Sequence, residues 1–419
     1  MGFIKRDHPM RAGLRRLRSR SRNAAAMLRR GMTRHALVVG VTGTAGKSTV
    51  TRLVGQILRQ RGPTYVASGV NTRDGVKRRY LKHPRGARFW VQEISGHQPG
   101  EVAASARFVV PDIAIVTCVQ AEHFRAFESL EALADGKADL VRALRPDGIA
   151  VLNADDPRVA AMAALAPGRV VTFGIGAGDV RVVNVEGCLP GSVTVTIDLR
   201  GDVFSIRTRF AGPRWALHFA AAVAAGDAAG ASRTEIVAAL ETAEPDLYKD
   251  SIHRFEDGTL VVLDCFKASF WTVTSSVETL TAINAPRRTF VMGTLSDFRG
   301  TPKVRYAEAA RTALGSADRV FVYGRNAYRL KGLLAQHGDH LELFETFSAL
   351  DQRLADSRLP GEAIYVKASG ADHLERLMHH RREPVACFAD ACGVSLRSCN
   401  SCKRLYGRDL SEAAADALR

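Results

Sequence analysis

The stretch Gly43-Thr44-Ala45-Gly46-Lys47-Ser48-Thr49 concentrates groups that suit a polyphosphate. Glycines at 43 and 46 let backbone N–H groups crowd around phosphate oxygens, Lys47 can reach terminal phosphates, and the Ser48 hydroxyl can ligate magnesium. A nucleoside triphosphate is the expected ligand. The general phosphate-loop pattern has a glycine five residues before Gly46, where this chain has Val41, so a purely structural strand-to-helix turn is the competing reading. Glu93 follows an apolar run, and His123 lies just past another, Ile113 to Gln120; open α/β sheets place ligands at such strand ends. Taken singly, each reads equally as a hydrogen-bonded structural group. Lys137, in Leu133-Ala-Asp-Gly-Lys-Ala-Asp-Leu140, reads alone as a helix-surface lysine.

Four cysteines, Cys387, Cys392, Cys399 and Cys402, follow the spacing Cys-x4-Cys-x6-Cys-x2-Cys. Clustered thiolates in a reducing compartment favour a structural zinc, which takes four tetrahedral ligands and can stabilise a segment too small for its own core. A tail of free thiols, or a redox pair at Cys399 and Cys402, are the alternatives. Cys118, Cys188 and Cys265 lie in apolar runs and are expected in the core.

The elements that must hold these groups follow from periodicity. Leu37 to Thr42 is a short β-branched run, and Val50, Leu53, Val54, Ile57 and Leu58 then recur at helical spacing, giving strand, glycine loop, helix. Further short apolar runs at Phe89 to Gln92, Ile113 to Thr117 and Ile149 to Asn153 predict a parallel α/β sheet covered by helices. Alternation between Arg169 and Arg209 predicts a small antiparallel group. Runs at 259–264, 289–293, 319–323 and 363–367 predict a second parallel, Rossmann-like α/β domain. The expected organisation is a basic leader (1–36), a central domain (37–246), a C-terminal domain (247–380) and a Cys-rich tail (381–419).

The chain has 419 residues, 46% apolar and 24% charged, too long for one core and ordinary for a soluble protein. The Ala-rich stretch Trp215 to Ala231 is broken by His218, Asp227 and glycines, which predicts a packed helix rather than a bilayer span. The leader carries no secretory signal pattern, so a cytoplasmic protein without disulfides is expected. The net charge is +16, concentrated before residue 35, where arginines surround Met10, Leu14, Leu17, Ala24 and Leu28 on one helical stripe. Such a helix could lie on an anionic membrane surface, grip an anionic polymer, or pack on its own domain.

In order and spacing, these motifs resemble the Mur ligase family, most of all its D-alanyl-D-alanine-adding members. The resemblance rests on Gly43-Thr-Ala-Gly-Lys-Ser-Thr49, Asn71-Thr-Arg-Asp-Gly-Val76, Glu93-Ile-Ser-Gly-His-Gln-Pro-Gly-Glu101, Pro111-Asp-Ile-Ala-Ile-Val-Thr117 and His123. It continues through Ser129 to Lys137, Asn153-Ala-Asp-Asp-Pro157, His253-Arg-Phe-Glu256, Asp264-Cys-Phe-Lys-Ala-Ser269 and Val366-Lys-Ala-Ser-Gly370. It implies a central phosphate-loop ATPase domain, a C-terminal ligase domain, ATP and Mg2+. By position, Lys47 would bind phosphates, Ser48 and Glu93 one magnesium, and His123 a second. Lys137 matches a lysine that the family carbamylates to help hold the second metal. Asn153 would serve the nucleotide site, Arg254 would reach the triphosphate, and Asp264 the ribose side. The implied chemistry is attack of a carboxylate on the γ-phosphate, then attack of an amine on the acyl phosphate.

The chain also departs from the family pattern. Only about forty residues, mostly the leader, precede the phosphate loop, where muropeptide members carry a UDP-binding domain. Arg214, Trp215 and His218 replace a His-Asn and a second Asn, and Asp264 to Trp271 replaces Asn-Ala-Asn-Pro. These differences point to an acid other than a UDP-muramoyl peptide. Lys77, Arg78, Arg79, Lys82, Arg85 and Arg88 would suit an acidic peptide or polymer. A muropeptide ligase with its UDP-binding part on another chain is one alternative. A nucleic-acid module built on the leader and a zinc-held tail is another, disfavoured because no stacking platform or recognition helix accompanies the basic residues.

Overall fold

Residues 36–69, 71–82, 86–122, 126–393 and 398–407 are described by the computed structural model of the chain. The helix expected in the leader lies outside the described residues, as do His123 and Arg85. Two compact units are present: Met1–Asn184 with Thr196–Ile206 and Leu217–Glu241, and Val185–Val195 with Arg207–Ala216 and Thr242–Arg419.

The first unit begins with β1 (Leu37–Thr42), α1 (Lys47–Arg59), β2 (Thr64–Ala67), α2 (Arg73–Lys82) and β3 (Phe89–Glu93). It continues through α3 (Glu101–Val109), β4 (Ile113–Val116), α4 (Leu130–Arg142) and β5 (Ile149–Asn153) to β6 (Arg169–Gly174), β7 (Val180–Glu186), β8 (Val193–Leu199) and β9 (Asp202–Thr208). The sheet order is β2-β3-β1-β4-β5-β6-β7-β8-β9. β1 pairs in parallel with β3 on one side and β4 on the other, so the order of connection reverses there and a crevice opens at the carboxyl ends. β1, β3, β4 and β5 are buried almost throughout because helices cover both faces. Gly40 lets α4 approach β1 closely: a Cβ there would sit 3.0 Å from Leu140 Cδ1. Val50, Leu53, Val54, Ile57 and Leu58 of α1 are all buried, each contributing roughly 1.5–3 kcal/mol.

Two expectations need correction. β6, predicted within an antiparallel group, pairs in parallel with β5 and with the start of β7; alternation reports one solvated face, not strand direction. Cys188, expected in the core, is exposed, because it lies in the connection between β7 and β8. Between β8 and β9, Arg200 and Gly201 take φ of 52° and 93°, the pair of positive values that matches hairpin twist. The Ala-rich stretch forms α5 (Ala216–Ala228), buried from Phe219 to Ala225, followed by α6 (Arg233–Glu241). Among the described residues no helix is long and apolar enough to cross a membrane.

The second unit holds β10 (Ser251–Arg254), β11 (Leu260–Asp264), α7 (Val273–Thr281), β12 (Arg288–Met292), α8 (Pro302–Leu314) and β13 (Arg319–Tyr323). α9 (Lys331–His337), β14 (Leu341–Phe344), α10 (Phe347–Asp356), β15 (Ala363–Lys367) and α11 (Arg376–Arg382) complete it. The order is β10-β11-β15-β12-β13-β14, parallel except for the antiparallel edge strand β10. Successive residues feed opposite faces: Val262, Met292, Val322 and Tyr365 enter one core, while Val261, Val291, Phe321 and Val366 enter the other.

His253 on β10 is buried, and Arg382 donates to its Nδ1 at 3.2 Å. A guanidinium can only donate, so the ring proton sits on Nε2, 3.0 Å from Ser251 Oγ. Burial, reinforced by Arg382 and His379, pushes His253 down to about 4. Between about pH 6.5 and 4 the unfolded chain therefore binds a proton that the folded chain refuses, and stability drops as the pH is lowered through that window, by at most about 3 kcal/mol. Denaturant midpoints measured across that window should slope less steeply for His253→Gln than for the parent; an equal slope would remove this imidazole as the cause.

Candidate active site

Gly46 caps α1 in the left-handed region, φ 78°, with no side chain to bond the first turn, so the N–H groups of that turn face the loop, an anion-binding arrangement. A Cβ on Gly46 would lie 2.2 Å from His218 Nε2, and one on Gly43 (φ 140°) would lie 1.9 Å from Thr117 Oγ1. Both glycines are thus required by space as well as by φ. The loop is pinned to the segment leaving β4: Thr44 N–H donates to Cys118 O at 2.8 Å and Gln120 N–H to Thr44 Oγ1 at 3.0 Å. Thr117 Oγ1 donates to Ala45 O at 2.5 Å.

The Lys47 ammonium donates to the carbonyls of Gly43 and Thr44, both at 2.8 Å. Lys137 also donates to Gly43 O, at 3.0 Å. Lys137 is not on a helix surface: it is 2% exposed, on the same stripe of α4 as Leu133 and Val141. A lysine at that spacing within an apolar stripe was the signal available in the sequence. Two cations therefore share one carbonyl at the loop's edge. Glu93 ends β3 in register with Val41, is 1% exposed, and accepts from Gly69 N and Asn71 Nδ2, each at 2.6 Å. Its carboxylate stands at the same carboxyl edge of the sheet as the loop. His123 lies outside the described residues.

Asn153, at the end of β5, donates from Nδ2 to Thr117 O at 2.8 Å, and Asp156 accepts from Val119 N at 2.7 Å. Both hold the segment that holds the loop; the parts that Asp156, Thr117 and His218 play against the loop were not foreseen, because those contacts are long-range. Lys77, expected on a basic substrate-facing surface, is 2% exposed with its ammonium 5.1 Å from the Phe108 ring centroid. Arg88 lies over Phe89 and donates to Arg61 O at 3.1 Å.

In the second unit Arg254 is exposed on β10. Asp264 is buried at the end of β11, where Lys367 reaches it at 2.6 Å and Arg214 at 3.2 Å. Arg214 also meets Asp250 at 2.5 Å, Trp215 Nε1 donates to Asp250 at 2.8 Å, and Tyr365 donates to both carboxylates. Burial opposes ionisation of Asp264, yet Lys367 and Arg214 hold it below the usual carboxylate range; burial raises Asp250. Of the four tail cysteines, Cys399 stands within 4.8 Å of donor atoms on His373 and Glu375, and among the described residues no thiol-only group converges in this way.

Strand, glycine loop and helix at a sheet crevice define a phosphate-loop nucleotide-binding fold, here joined to a second parallel α/β unit. Residues 41–226 match the Mur ligase middle domain. The chain is 30% identical over 319 residues to the UDP-N-acetylmuramoyl-tripeptide--D-alanyl-D-alanine ligase of Mycobacterium bovis, covering 73% of this chain but 58% of that relative's length. The enzyme of the same description from Escherichia coli is 25% identical over 363 residues, 84% of this chain and 78% of the relative. In fold it is similar to the MurF ligase of Thermotoga maritima solved in complex with ADP, with a TM-score of 0.77, 22% identity, and coverage of 87% of this chain and 84% of that one.

Replacing Gly46 with alanine forces a side chain into φ 78° and against His218. About 1–2 kcal/mol of backbone strain alone should weaken binding of a fluorescent ATP analogue about tenfold, with the far-UV circular dichroism retained. Parental affinity in Gly46→Ala would show that the loop is not the phosphate cradle.

Proposed function

We propose that the chain is an ATP-dependent ligase that joins a carboxylate to an amine through an acyl phosphate. The observation that carries this reading is the meeting of Lys47 and Lys137 on Gly43 O beside the N-terminus of α1, with Glu93 at the neighbouring strand end. The loop fits a triphosphate, since Gly46 leaves the first-turn N–H groups of α1 without a side-chain cap at the helix N-terminus. Ser48 and Glu93 form a hard oxygen donor set suited to Mg2+, with His123 and Lys137 assigned to a second ion. Magnesium, when bound, would neutralise charge on the transferring phosphoryl group.

The chain's own residues do the rest. Lys47, released from its loop carbonyls, follows the terminal phosphates, and the first-turn N–H groups of α1 orient them. Thr117, Asn153 and Asp156 hold the loop rigid, so little reorganisation is needed as charge develops. Lys137, if carbamylated, keeps an N–H for Gly43 O while its far end becomes an anion able to hold a metal. The carboxylate attacks the γ-phosphate, ADP leaves, and the amine displaces phosphate from the acyl phosphate.

The named relatives make UDP-muramoyl tripeptide and D-alanyl-D-alanine the first pair to assay. A second reading, an acidic peptide or another free acid, is favoured by the rewritten segment after β11, where Phe266 is 64% exposed with the Lys249 ammonium over its ring. ADP and phosphate release, scored across acids and amines with product mass, should single out one pair. Lys47→Ala should abolish turnover with the fold intact by circular dichroism. Lys137→Ala should lose activity that added bicarbonate does not restore; full activity in that variant would sink the metal assignment. Absence of amine-dependent ADP release with every acid, in magnesium-replete folded protein, would overturn the ligase reading.

A further inference from the structure

The turn between β15 and α11 brings together three donor groups of different chemistry. His373, Glu375 and Cys399 are all buried, and one ligand atom from each lies within 4.8 Å of the others. His373 Nδ1 is 3.4 Å from Glu375 Oε1 and 3.7 Å from Cys399 Sγ. Zinc bonds of about 2.0–2.1 Å to nitrogen, about 2.0–2.2 Å to oxygen and about 2.3 Å to sulfur, at tetrahedral angles, put those pairs about 3.3 and 3.5 Å apart. The observed edges are close to those of a tetrahedron around one ion.

Two features of His373 fit a ligand. Its backbone is in the left-handed region, φ 53°, a strained state for a non-glycine residue that needs a return elsewhere. Its other ring nitrogen, Nε2, is 3.1 Å from Cys392 Sγ. A proton held on Nε2 by that sulfur leaves the Nδ1 lone pair facing Glu375 and Cys399, the outer-sphere pattern of metal-bound histidines. Glu375 Oε1 also accepts the Cys399 N–H at 3.0 Å, which fixes the carboxylate between the imidazole and the sulfur. The surrounding segment has only a small buried apolar cluster of its own, Val385, Cys399 and Leu405, and is otherwise held by polar contacts such as Phe347 N–H to Asp390 and Tyr248 to Asn400. Cys387 faces Arg376, which donates to its carbonyl at 3.0 Å and lies 4.0 Å from its sulfur.

We propose that His373, Glu375 and Cys399 bind a zinc ion, that Cys402 rotates to close the tetrahedron, and that this ion fixes the chain after α11 to the sheet. Cys402 is one tight turn from Cys399, donating its N–H to Cys399 O at 2.9 Å. The donor set of imidazole, carboxylate and two thiolates is that of a borderline divalent ion and closes all four positions, a structural rather than catalytic site. Ligands come from both sides of α11, so the ion would cross-link the chain before that helix to the chain after it.

The test uses the full chain, purified without chelator and analysed for metals, then exchanged with Co2+ for its absorption spectrum. The expected result is one zinc per chain, and a cobalt form with tetrahedral d–d bands and thiolate charge transfer. Cys399→Ser and His373→Gln should lose the metal. Cys402→Ser should roughly halve the charge-transfer intensity, and Cys387→Ser should keep full stoichiometry and spectrum. Zinc-free parent protein that also rejects Co2+ would overturn the proposal in favour of a metal-free His373–Glu375 pair. Loss of metal in Cys387→Ser would overturn it in favour of a cysteine-only site. If Cys399→Ser or His373→Gln fails to fold, the parent and Cys387→Ser spectra still decide.

Discussion

The carbonyl of Gly43 is the point on which the first unit turns. It accepts from two ammonium groups, Lys47 in its own loop and Lys137 on α4, at 2.8 and 3.0 Å. Two like charges drawn to one acceptor repel each other, and they stay together because the loop is clamped from behind by Thr117, Cys118 and Gln120. The positive field so concentrated stands at a helix N-terminus, where the backbone dipoles add to it. Everything else in that unit, including the reversal of strand order at β1, serves to keep this edge of the sheet open and stiff.

The second unit solves a different problem, that of placing charge inside a core. Arg214, Asp250, Asp264 and Lys367 form two acids and two bases in alternating contact, with Tyr365 and Trp215 donating into the set. Each carboxylate is met by at least one cation, which is the condition under which buried ions are tolerated. The arrangement ties the segment before α5 to the ends of β11 and β15. Asp264 reached this cluster from a position that resemblance assigned to a nucleotide's ribose, and its buried partners are what the family comparison did not foresee.

Legibility in the sequence followed sequence distance. β13 and β15 lie at the residues their apolar runs mark, Arg319–Tyr323 and Ala363–Lys367. β2, β10 and β14 were not anticipated, since each mixes polar with apolar residues, unlike the equally short but wholly apolar β4. The glycine loop was legible because its chemistry is contiguous. The burial of Lys137 was legible in principle, from its place between Leu133 and Val141. His218 against Gly46, and His373 beside Cys399, were not, because each contact joins residues that no local pattern relates. Parallel pairing of β6 was hidden for another reason: alternation speaks of which face is wet, and β6 is half-solvated like the hairpin strands that follow it.

The edges of the two sheets carry a further meaning. β2, β10 and β14 are four residues each, and the longer β9 turns Asp202, Ser205 and Arg207 outward. Pro63, next to β2, cannot donate a ladder bond. Short or charged margins offer a poor template for adding a strand from another molecule. The described residues hold fifteen strands, enough to stack into fibrous aggregates; the abbreviated and ionised borders of their sheets work against that fate.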